Sequence, residues 1–96
     1  MKKNFQLTDT KLAPARQVDA VKHEINKYIA RERRKKLTDG FDYWDFDCKI
    51  GEDSSNAHDV AVADINKSID GLVAKELKSF YLEILAKPAR RLKKMQ

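Results

Sequence analysis

Residues that build covalent or metal-held scaffolds are scarce in this 96-residue chain, which has one cysteine, Cys48, and two histidines, His23 and His58. A lone cysteine excludes an intrachain disulfide, and no Cys/His spacing fits a zinc site. Met1-Lys2-Lys3 is followed by no apolar run, so no secretion signal is expected and a reducing cytoplasm is the simple compartment. No stretch approaches the roughly 18 consecutive apolar residues of a membrane span. With three glycines there is no Gly-rich phosphate loop, and no Ser or Cys stands beside a recognisable base. These absences favour a protein without catalysis, cofactor or metal.

What the chain does hold is charge, at 36% of residues, with a net +5 and a pI near 9.4. The charge comes in blocks: residues 31–36 carry net +4, residues 37–59 net −6, and the ten residues from Lys87 net +5. Sorted charge of this kind gives a molecule poles, and a positive pole attracts nucleic acid or another polyanion. With 42% hydrophobic residues the chain also has the apolar content of one folded domain. We expect that domain over residues 1–88, with residues 89–96 a basic flexible tail.

Periodicity gives the elements. Asn4 to Thr8 alternates, with Phe5 and Leu7 inward, and predicts a short strand. Pro14 opens an amphipathic helix carrying Val18, Val21, Ile25, Tyr28 and Ile29 and ending near Lys36. After the Thr38-Asp39-Gly40 turn, Trp44, Phe46, Cys48 and Ile50 alternate with Asp45, Asp47 and Lys49, the clearest strand pattern in the chain. His58, Val60 and Val62 alternate next and predict a third strand. Ala57, Ala61, Ile65 and Ile69 at fourfold spacing also allow one long second helix from about Asn56, which would give βαβαβ with a three-stranded sheet. We favour the strand, followed by a helix ending near Leu77. Phe80 to Ala86 predicts the last strand, stopped at Pro88 because proline cannot donate to a ladder.

The resulting order, βαββαβ, predicts an α+β fold of the ferredoxin-like kind, two helices on one face of an antiparallel four-stranded sheet. Its strand directions bring the end of helix one and the end of strand four to one pole. Lys27, Arg31, Arg33, Arg34, Lys35, Lys36, Lys87, Arg90, Arg91, Lys93 and Lys94 are then candidate phosphate contacts, with His23, Lys27, Arg31 and Arg34 forming one helical stripe. The competing explanation is that these cations complement the negative helix end and keep the protein soluble.

Tyr43, Asp45, Asp47, Tyr81, Glu83 and Leu85 are expected on the uncovered sheet face, a candidate surface for a homodimer or another protein. Its carboxylates repel phosphate, so base recognition on that face is rejected and a nucleic-acid role rests on the pole. Asp45 and Asp47 stand two apart on one strand face and have the chemistry for a hard cation, but alternating Asp on an exposed strand more often faces water. Cys48 is expected inward as a small hydrophobe.

The opening Lys3-Asn4-Phe5-Gln6-Leu7-Thr8, the Trp44-Asp45-Phe46-Asp47-Cys48-Lys49 segment, Ile65 to Asp70, and Tyr81 to Pro88 together resemble a family of small bacterial proteins known as a domain of unknown function. The resemblance implies a bacterial cytoplasmic protein and supplies no activity, ligand or site residue. Contact with RNA rather than DNA at the basic pole is the functional expectation; association through the sheet face is the alternative.

Overall fold

Alternation over Tyr43–Gly51 produces the strand on which the rest of the molecule is assembled. The computed structural model describes residues 1–8 and 13–91. Its elements are β1 (Lys2–Gln6), α1 (Pro14–Arg33), β2 (Tyr43–Gly51), β3 (His58–Val60), a 3-10 turn (Val62–Asp64), α2 (Ile65–Ala74) and β4 (Ser79–Ala89). Every strand pairing is antiparallel. Inward residues of the strands, Phe5, Phe46, Cys48, Ile50, Phe80, Leu82 and Ile84, form one core with Val21, Ile25 and Ile29 of α1 and Ile65, Ile69 and Leu72 of α2. The protein is therefore α+β, with both helices on one sheet face.

The strand order is β1-β4-β2-β3, not the ferredoxin-like order. β4 lies between β1 and β2, whereas the expected arrangement places it at an edge. Burial gives the reason: Phe80, Leu82 and Ile84 are all fully buried, and the strand with the most complete apolar row gains most from the sheet's centre. Phe80 also stacks on Phe5 across the β1–β4 pair, with ring centroids 5.4 Å apart. Strand directions are nonetheless those expected, since β1 and β2 run one way and β3 and β4 the other.

Several boundaries differ from the periodic reading, β1 among them, which spans Lys2–Gln6 and not Asn4 to Thr8. The favoured third strand does form, because residues 58–60 pair with β2, and the rival long helix from Asn56 does not. Val62 is not in the strand, because the Asp64 N–H bonds the Ala61 carbonyl and opens a 3-10 turn instead. α1 ends at Arg33, and α2 ends at Ala74, where Glu76 takes a left-handed φ of 61°.

β4 also continues through Pro88 to Ala89. Ile84 exchanges both backbone bonds with Met1 on the β1 side, so residues of the same parity turn their N–H positions that way. At Pro88, past the first residues of β1, the missing donor therefore points away from β2 and costs no bond of the β2–β4 ladder.

At the opposite end of β2, a Cβ on Gly51 would lie 2.5 Å from the Asn56 carbonyl oxygen. The loop back to β3 packs onto that backbone, and only glycine leaves room.

Candidate basic cleft

Three segments meet where α1 ends, β2 begins and β4 ends. Gly40, at φ 90°, turns the chain into β2, and the Asp42 N–H bonds the Ala89 carbonyl at 2.9 Å. The Asp42 carboxylate in turn accepts the Arg91 backbone N–H at 2.8 Å. These two bonds fasten the segment after β4 to the segment before β2. The result is an open cleft of about 870 Å³ lined by Arg33, Leu37, Asp42, Tyr43, Trp44, Arg90 and Arg91.

Two of its arginines lie over aromatic rings. The Arg33 guanidinium sits 5.4 Å from the Phe46 ring centroid, and that of Arg90 5.1 Å from Phe41. A guanidinium held against a ring loses rotamer freedom in advance, while its edge donors remain available to an anion. The half-buried Trp44 donates its indole N–H to the Lys35 carbonyl at 2.8 Å, which ties the chain after α1 to the cleft wall. The cleft is not purely cationic, because Asp42 places one carboxylate among three arginines.

The expected phosphate contacts divide into groups. Arg33, Arg90 and Arg91 share the cleft. Lys27, Arg31 and Arg34 are exposed along the stripe with His23; Arg33 is turned about 100° from Arg34 and faces the sheet. Lys36 is exposed beyond the helix. Lys35 pairs with Glu32 at 2.5 Å, and this bond, with Tyr28 adding to it, holds the Glu32 carboxyl below its ordinary range. Lys87 turns to the sheet face, where Asp47 at 2.9 Å raises its pKa. Lys93 and Lys94 lie outside the described residues.

Sequence reasoning missed two cleft residues. Trp44, packed partly against the core, and Tyr43, at the start of the outward row of β2, also line the arginine cleft. The signal available was position: they are the first two residues of β2, beside the turn that carries Asp42. Asp45, Asp47, Tyr81, Glu83 and Leu85 do lie on the uncovered face, with Leu85 46% exposed. Partial burial and the neighbouring Glu83 carboxylate raise the Tyr81 pKa. Cys48 is buried, and burial with Asp47 and Asp45 nearby pushes its thiol up to about 11, so it stays protonated at neutral pH. Among the described residues, no group of three or more His, Cys, Asp and Glu side chains is placed to hold a metal ion.

Among the described residues, these features define a small α+β protein with helices on one face of its sheet and an arginine-lined cleft at one end. The chain belongs to a family of unknown function, DUF6172, whose model matches residues 1–95. Comparisons with curated proteins and with solved structures find no match. Among the described residues, no helix is long and apolar enough to cross a membrane.

Proposed function

We propose that the protein is a small, non-catalytic binding protein of the bacterial cytoplasm that holds a nucleic acid at its basic pole, RNA in preference to DNA. The observation that supports this is the shared cleft: Arg33 from one basic block and Arg90 and Arg91 from the other line it beside Tyr43 and Trp44. Planar guanidinium groups suit bidentate contact with phosphate oxygens. Aromatic and guanidinium planes suit the splayed bases of a single strand, which are the usual targets of sequence-tolerant RNA binding. The stripe of Lys27, Arg31 and Arg34 would carry the backbone beyond the cleft. Opposing this, the C-terminal end of α1 and the Asp42 carboxylate both contribute negative potential, so affinity for phosphate alone should be modest.

Trp44 is the only tryptophan and lines the cleft, which makes its emission a local reporter. Titration with a short single-stranded RNA at low salt should change Trp44 fluorescence saturably. The same length of DNA should bind less tightly, and anionic vesicles should leave the signal unchanged. RNA that leaves the signal unchanged at low salt, or vesicles that bind more tightly than RNA, would refute the proposal.

A further inference from the structure

We infer that the uncovered sheet face docks a second copy of this chain, related by a twofold axis that runs parallel to the strands between β4 and β2. The inference is independent of the basic cleft and rests on strand register. Outward residues pair across β4 and β2 as Tyr81 with Gly51, Glu83 with Lys49, Leu85 with Asp47, Lys87 with Asp45, and Ala89 with Tyr43. The row through Glu83 and Lys49 extends to Lys2 on β1 and Asp59 on β3. It therefore alternates plus, minus, plus, minus across all four strands.

Rotation about the stated axis exchanges β4 with β2 and β1 with β3, while height along the strands is unchanged. Each outward residue then meets the copy of its own cross-strand partner. Lys2 faces Asp59 of the second copy, Glu83 faces Lys49, and Lys87 faces Asp45, each contact occurring twice. The Tyr81 ring comes over Gly51, where no side chain obstructs it. Only the row of Leu85 and Asp47 is mismatched, and Asp47 is already held by Lys87 at 2.9 Å. A face whose charges alternate from strand to strand in register is in this way complementary to itself across copies.

Four strands at ~4.8 Å spacing and the length of β2 give a footprint of about 400 Å² per copy. The two copies together then bury about 800 Å², less than the roughly 1,000 Å² of a stable interface, so the dimer is weak and transient and its charge pairs decide whether it forms. The axis also keeps both basic poles at one end of the pair.

The test is analytical ultracentrifugation without nucleic acid, so that failure here and failure of RNA binding are separate results. Wild-type protein should show a concentration-dependent dimer. Lys49→Glu and Glu83→Lys should each weaken it about tenfold or more, because the reversal is met twice per dimer. An equimolar mixture of the two variants should restore a dimer. Both variants place like charges opposite each other at the same register position within a copy, so rescue on mixing can arise only between copies. A fold lost in either variant moves the test to Lys87→Glu with Asp45→Lys, two outward rows away. A wild type that stays monomeric at high concentration, variants that dimerise like it, or a mixture that fails to associate would overturn the inference.

Discussion

Removing one cleft arginine should change how RNA binding responds to salt, by an amount that can be worked out in advance. Arg33, Arg90 and Arg91 offer three guanidinium groups to one ligand. If each neutralises one phosphate of a single strand, the slope of log affinity against log salt is about −2.1, at about −0.7 per contact. Raising salt fourfold then weakens binding about 18-fold. In Arg90→Ala the slope should fall to about −1.4, and the same rise in salt should weaken binding only about 7-fold.

The assay is fluorescence anisotropy of a labelled single-stranded RNA at several salt concentrations. Arg33→Ala should give a similar change in slope, since its guanidinium is held over Phe46 as that of Arg90 is over Phe41. Lys75→Ala, which removes a cation at the end of α2, the end of the molecule opposite the cleft, should leave the slope unchanged. Added contacts from elsewhere would shift all absolute slopes together and preserve the differences. The reasoning fails if Arg33→Ala and Arg90→Ala keep the wild-type slope, or if Lys75→Ala changes it as much as they do.

Three further outcomes test the fold. Gly51→Ala should destabilise the protein by about 3 kcal/mol in urea unfolding, because the new methyl meets backbone atoms of Asn56 and Ala57 at 2.5–2.8 Å. Glu76→Gly should raise the urea midpoint, with a gain of about 0.5–1 kcal/mol, because it relieves a left-handed φ of 61° at the end of α2. Cys48 should make the wild type lose stability between about pH 8.5 and 11 relative to Cys48→Val. Over that interval the unfolded thiol releases its proton while the buried one retains it, so unfolding gains by up to about 3 kcal/mol as pH rises. Parallel pH curves for the two proteins would refute that assignment.

Faces were legible in the sequence, and neighbours were not. Alternation identified the inward set of β2 and β4 because a strand's period of two depends only on which side is buried. The order of strands depends instead on which apolar row the sheet buries most completely, and that is a comparison between segments. Lys2, Lys3 and Asn4 gave β1 a polar start suited to an edge, while β4 had an apolar inward row flanked by Tyr81 and Leu85, as a central strand can. Val62 misled for a related reason: it extends the alternation of His58 and Val60, but the bond from Asp64 to Ala61 forms before the strand can continue.

The basic cleft depends on strand direction more than on strand order. Which residues reach one end of a sheet is set by strand direction. An antiparallel β4 brings Arg90 to the start of β2 whether it lies at the edge or in the centre. Order decides something else, namely how close the two ends come. With β4 directly beside β2, Asp42 can bond both Ala89 and Arg91, and the arginines are held within one cleft instead of being spread across a pole. In the ferredoxin-like order β1 and β3 would both lie between β2 and β4, and Asp42 could reach neither Ala89 nor Arg91. The observed order therefore converts a shared pole into a shared wall. Asp42→Ala provides the corresponding test: it should lengthen the lifetime of RNA complexes if loss of a repelling carboxylate dominates, and shorten it if the anchoring of Arg91 dominates. We expect the second outcome, read by stopped-flow dissociation, because the bond to Arg91 fixes the backbone on which the guanidinium is carried; slower dissociation from Asp42→Ala than from wild type would refute it.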